Sequence, residues 1–420
     1  MMPRALKYVI GTLFVLRVAL SFALSDGLFR SDSITYFGAV VNLGLNGNIS
    51  SIQPEDEARF KNGADAEELY RHLADIDNPL YRPLPYQWLH AALYSPILFF
   101  WRSLTPVILI NNLLFFAAGI LFFRAVARSC SVMAQSAAWL LYAFFPPFFY
   151  LTQQFFSEPL FLFLFAGIIL LIDKLGWEQF FFLFLGAAAA SLTRPFGVVL
   201  TASLILYSLV KRNYARSAGL LGALLLALGI NAVVMLHAVP EHARVFSVSA
   251  AETFYCTTSA RGNGDFDYYF DVPEAAEADS TLQHYRSGSI SGAALIAQAL
   301  EQNVRMPERF LSNSTAKLSN YFFSIVPERW IYPPVQAQTP MKKLLWIVQN
   351  LFLFALAGIG LLKARKEPAV LFLYVFAVGL LFHFFLLARY RYFLPMLLYA
   401  VAFIPLAVDW MRSRSRRTRA

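Results

Sequence analysis

Long apolar runs recur from one end of this chain to the other, and a water-soluble core could not absorb them. They lie near residues 6–24, 86–101, 106–127, 133–153, 155–172, 179–192, 195–210, 217–238, 342–362, 368–387 and 390–410. Runs of this kind, separated by short basic clusters, are the mark of helices that cross a bilayer. Composition agrees, since 58% of the 420 residues are hydrophobic and 41 are Phe. The predicted fold is therefore all-α, a polytopic membrane helical bundle. Ser25-Asp26-Gly27 follows the first run directly and offers no small-residue cleavage site. That run reads as a retained helix rather than a cleaved signal peptide.

Charge sets the topology. With Arg4 and Lys7 in the cytoplasm and every run except 86–101 crossing, the basic clusters all fall on the cytoplasmic side. These are Arg124 and Arg128, Lys174, Lys211 with Arg212 and Arg216, Lys363 with Arg365 and Lys366, and the tail Arg412–Arg419. Counting 86–101 as a crossing would put them on the wrong side. The expectation is about ten spans with both termini cytoplasmic, in a plasma (inner) membrane. The segment Tyr86–Trp101 then lies along the outer face, where its aromatics and Pro96 suit an interfacial helix. Two large non-cytoplasmic loops follow from this. The chain divides into a membrane core over 1–238, with its first outer loop at 25–105, a second outer loop region over 239–341, C-terminal spans over 342–411, and a basic tail over 412–420. A helix is expected near Gly292–Val304. The formal charge of +9 sits at helix ends and in the tail, which points to membrane lipid and orientation rather than nucleic acid. Cys130 and Cys256 lack metal-ligand spacing and fall on opposite sides, so neither zinc nor a disulfide is expected.

A few charges break the pattern. The apolar stretch 179–210 is 32 residues, about 48 Å as helix, too long for one ~30 Å crossing and too short for two full ones. Charge parity requires two crossings, so the turn Thr193-Arg194-Pro195 must sit below the outer surface, in protein or in a wet cavity. Arg389 and Arg391, in Ala388-Arg389-Tyr390-Arg391-Tyr392, fall between two outer helix ends. Arginine grips phosphate with a two-pronged fork and keeps its charge; interfacial anchoring beside tyrosine is the plainer use. Asp32 opens an amphipathic stretch to about Leu45, and is either a helix N-cap, a general base, or both. Glu158, in Ser157-Glu158-Pro159, either favours a helix's first turn or partners Arg194. Arg17, inside the first run, also needs a partner or a wet cavity. His383 reads as a packed residue.

Four stretches carry a resemblance. They are Asp32-Ser-Ile-Thr-Tyr36-Phe-Gly-Ala39; Tyr81-Arg82-Pro83-Leu84-Pro85-Tyr86-Gln-Trp88; Ser157-Glu158-Pro159 with Leu192-Thr193-Arg194-Pro195-Phe196-Gly197; and Arg389-Tyr390-Arg391-Tyr392-Phe-Leu-Pro395. In order and shared side they resemble the GT-C glycosyltransferase superfamily, and within it the protein O-mannosyltransferase and aminoarabinose-transferase branch. The resemblance implies an inverting enzyme that moves a sugar from a polyprenyl-phosphate carrier to a glycan, lipid or protein acceptor at the non-cytoplasmic face. It implies Asp32 as the base, Arg194, Arg389 and Arg391 on the carrier phosphate, and Glu158, Tyr36 and Arg82 orienting acceptor or site. The family's adjacent acidic pair is a single aspartate here, which leaves a divalent cation open and assigns no metal ligand. A transporter or lipid flippase is the competing class, since it too would place charges in a central cavity.

Overall fold

The computed structural model describes residues 2–25, 27, 32–47, 60, 65–75, 88–174, 176–238, 250–259, 279–287, 289–323, 340–364, 366–385 and 390–417. Among them the chain is helical throughout and has no strand. Four helical stretches are long and apolar enough to cross a membrane: Arg4–Leu24, Leu104–Val126, Tyr214–Val234 and Leu394–Ser415. The chain forms two compact units. One comprises Met1–Val245, Val326–Val375 and Pro395–Ala420, the other Phe246–Ile325 and Phe376–Leu394.

The first unit begins with α1 (Arg4–Leu24), α2 (Asp32–Asn46) and α3 (Ala66–Asp75). The amphipathic stretch expected after Asp32 is α2. The segment Tyr86–Trp101 contains α4 (Trp88–Phe100), with Pro96 inside it. Next comes α5 (Leu104–Val126). The apolar run at 133–153, expected as a single crossing, forms two helices: α6 (Val132–Ala143) and α7 (Pro146–Gln153). Pro146 and Pro147 supply no N–H to the preceding turn, so the ladder ends before them. After α8 (Glu158–Leu171), α9 (Trp177–Thr193) and α10 (Pro195–Val210) form the expected pair of short helices, meeting at an extended Arg194. Gly197 makes that hairpin possible, because a Cβ there would lie 1.9 Å from the Ala190 carbonyl oxygen. The unit continues with α11 (Tyr214–Ala238).

The break between α6 and α7 has a specific remedy. Backbone groups freed in an apolar setting need a protein partner. The Arg17 guanidinium, fully buried on α1, donates to the Ala143 carbonyl at the end of α6. It also donates to Asn112 Oδ1 at 2.8 Å and to Thr152 Oγ1 at 3.1 Å. Phe115 and Phe149 each present a ring to it, 4.2 Å from centroid to guanidinium carbon. Arg17 thus finds the partners it requires, and they are neutral oxygens and aromatic faces.

The second unit contains α12 (Ala250–Thr258), α13 (Ser280–Arg286), α14 (Gly292–Arg305) and α15 (Pro307–Phe323). The helix expected near Gly292–Val304 is α14. Tyr255, Cys256, Leu282, Leu295 and Ala299 form its core. Asp279 caps α13 and accepts from the Tyr255 hydroxyl at 2.9 Å, which ties the cap to that core.

The remaining helices are α16 (Pro340–Lys363), α17 (Glu367–Phe385), α18 (Tyr390–Val401) and α19 (Ile404–Arg417). The single run expected at 390–410 is broken at Ala402-Phe403, just ahead of Pro405. Within the first unit, several turns rich in basic residues meet. Arg216 donates to the Ile172 carbonyl and, at 2.6 Å, to the Lys174 carbonyl. Tyr207 donates to Glu367 at 2.7 Å, Lys211 pairs with Glu367, and Ser131 N donates to Asp409 at 2.7 Å. Burial raises the half-buried Cys130 thiol to about 11, with Asp409 adding to the shift and Lys366 opposing it.

Arg17→Met keeps bulk but leaves the Ala143 carbonyl and Asn112 without their donor. Orphaning buried acceptors in this way costs on the order of 3–5 kcal/mol in total. Thermal unfolding in detergent should register a lower Tm for this variant; an unchanged Tm would contradict the role given to Arg17.

Candidate functional site

Glu158 and Arg194 form a direct ion pair. Glu158 is fully buried and Arg194 is 4% exposed. Local sequence explains both positions. Ser157-Glu158-Pro159 starts a helix, with proline in the first turn, where a missing N–H costs nothing. Arg194 is the one extended residue between α9 and α10, at φ −156° and ψ 151°. A helix start and a helix break therefore face one another, each contributing one charge. Phe196 packs edge-on against Phe161 at 5.8 Å beside the pair.

A chain of hydrogen bonds ties α2 to the same place. Ser33, adjacent to Asp32, donates to Gln154 Oε1 at 2.9 Å. The Gln154 carbonyl accepts from Asn111 Nδ2 at 2.9 Å, and Asn111 Oδ1 accepts from the Tyr94 hydroxyl. These bonds fix α2, α4 and α5 against the short connection that leads into Glu158. Tyr36 lies one turn after Asp32, with its ring 5.9 Å from Phe156 and 6.2 Å from His90. Phe37, Tyr94 and Phe155 complete an aromatic wall, with Phe155 centred 4.9 Å from both His90 and Tyr94.

Of the residues singled out from sequence, Glu158 and Arg194 meet directly, and Tyr36 stands in the adjoining wall. Asp32 is the first residue of α2, while its side chain lies outside the described residues. Arg82 and Arg389 lie wholly outside them. Arg391 falls within α18, and its side chain is outside them as well. Among the described residues no group of three or more His, Cys, Asp or Glu could hold a metal ion. Glu158 pairs with Arg194.

Sequence reasoning missed His90. It is 1% exposed on α4. Burial pushes its imidazole down to about 3; the Phe156 carbonyl opposes this and the nearby Arg194 charge adds to it. The only sequence signal was a histidine one helical turn before Tyr94 in an otherwise apolar segment.

No protein-family profile matches this chain, and no curated protein matches it in sequence.

Removing one partner of a buried pair strands the other charge, at roughly 3–5 kcal/mol. Glu158→Gln and Arg194→Met should each lower thermal stability, and the double variant should lose less than the sum of the two. Strict additivity would show that the pair is not coupled.

Proposed function

We propose that this protein is an integral membrane glycosyltransferase of about ten spans with both termini cytoplasmic, moving a sugar from a polyprenyl-phosphate carrier to a hydroxyl acceptor at the non-cytoplasmic face. The observation that carries this reading is the buried Glu158–Arg194 pair, set at a helix break beside the helix that Asp32 opens. A guanidinium fixed in a water-poor site is what a leaving phosphate requires as it gains charge. The aromatic wall beside it suits a sugar face or an apolar prenyl chain. The sequence resemblance to GT-C enzymes supports the same reading.

In this mechanism the Asp32 carboxylate takes the proton of the acceptor hydroxyl. The acceptor oxygen attacks the anomeric carbon from the face opposite the phosphate, forming the new glycosidic bond. The bond between that carbon and the phosphate oxygen breaks, its electron pair leaves with the phosphate, and configuration inverts. Arg194 stabilises the charge that develops on the phosphate, and Glu158 holds Arg194 in place. Arg389 and Arg391 are assigned to the same phosphate by sequence alone, as are Arg82 and Tyr36 to acceptor orientation.

The helix breaks at Phe144-Phe145 and Ala402-Phe403 favour a second reading, since transporters and flippases bind substrate at broken helices. At the first break, however, the freed carbonyl is already taken by Arg17.

Asp32→Asn keeps the shape and capping capacity of the side chain and removes the base. With purified protein and a panel of polyprenyl-phosphate sugars, it should retain donor binding and lose transfer by about 100-fold or more. Full transfer by the variant would refute the base role. Lipid movement without transfer by the wild type would favour the flippase.

A further inference from the structure

Buried polar atoms in a folded protein are almost always hydrogen-bonded, so an exception calls for an explanation. His90 is such an exception. Its side chain is enclosed by Tyr36, Tyr94 and Phe155. The Phe156 carbonyl faces the ring, and Nε2 is buried and has no partner among the described residues. A ring that donates from Nδ1 presents a bare lone pair at Nε2. Burial keeps the ring neutral, and a neutral ring that donates to the Phe156 carbonyl can only accept a hydrogen bond at Nε2.

We propose that His90 Nε2 accepts a hydrogen bond from a hydroxyl of the transferred sugar, making His90 a sugar-positioning residue. This rests on the glycosyltransferase reading above. Two observations lead to it. The unpartnered atom demands a donor, and the ring packs against Phe155 in the connection that leads into Glu158, the partner of the arginine assigned to the carrier phosphate; the group bonded to that phosphate is the sugar. The aromatic rings around His90 suit the apolar face of a pyranose or furanose. A dry acceptor of this kind discriminates strongly, because a sugar lacking the hydroxyl leaves Nε2 orphaned.

The test is a cycle between protein and ligand. Binding and transfer are measured for the best polyprenyl-phosphate sugar of the panel, for its monodeoxy analogues, and for polyprenyl phosphate alone. His90→Asn retains a donor toward Phe156 and removes the acceptor at Nε2, whereas His90→Gln returns an amide oxygen near that point. For one deoxy position, wild type should bind the parent sugar about tenfold better than the analogue, the contribution of roughly one buried hydrogen bond. His90→Asn should abolish that preference, His90→Gln should restore part of it, and both should bind polyprenyl phosphate as wild type does. A preference unchanged in His90→Asn overturns the proposal and leaves Nε2 to an ordered water. Equal loss of polyprenyl phosphate binding by both variants also overturns it, in favour of a packing role. A wild type that binds neither the sugar-linked lipid nor polyprenyl phosphate overturns the glycosyltransferase reading, and this proposal with it. A wild type that binds and transfers without any His90-dependent preference overturns this proposal alone.

Discussion

In a helical bundle built for an apolar solvent, every interruption of a helix must be repaired by the protein itself. Two interruptions organise this molecule. At Phe144-Phe145 the repair comes from Arg17, which reaches from the first helix to the orphan Ala143 carbonyl and is sheathed by two phenylalanines. At Arg194 the interruption carries its own charge, and the repair is Glu158 at the start of another helix. One arginine closes a structural gap with neutral acceptors. The other is held by a carboxylate, at the place where helix ends, aromatic rings and a hydrogen-bonded relay from α2 converge.

On the proposed reading, that difference separates a structural cation from one that meets the carrier phosphate. Arg17 spends its donors on a carbonyl, an amide and a hydroxyl far away in sequence. Arg194 sits on extended backbone between two short helices, with its charge balanced by a group that a phosphate could replace or share. The relay through Ser33, Gln154, Asn111 and Tyr94 fixes α2, which Asp32 opens, against the connection that leads into Glu158.

Much of this was legible in the sequence because bilayer dimensions act locally. The length of 179–210 together with charge parity called for a turn at Arg194, and α9 and α10 meet there. The amphipathic helix from Asp32, the helix around Pro96 and the helix at Gly292 followed from pattern and flanking residues. The breaks at 144–145 and 402–403 went unread although Pro146, Pro147 and Pro405 announced them, because hydropathy continues smoothly across each. The partners of Arg17 were illegible for another reason: they lie between 95 and 135 residues away, and no local pattern encodes such contacts. His90 was hidden in the same way, since burial and an empty lone pair are properties of the assembled site.

A structure with polyprenyl phosphate bound tests the central claim most directly. Phosphate oxygens should lie about 3 Å from the Arg194 guanidinium, where it faces Glu158 and beside the start of α2. A carrier phosphate bound elsewhere, with the Glu158–Arg194 pair left untouched, would contradict it.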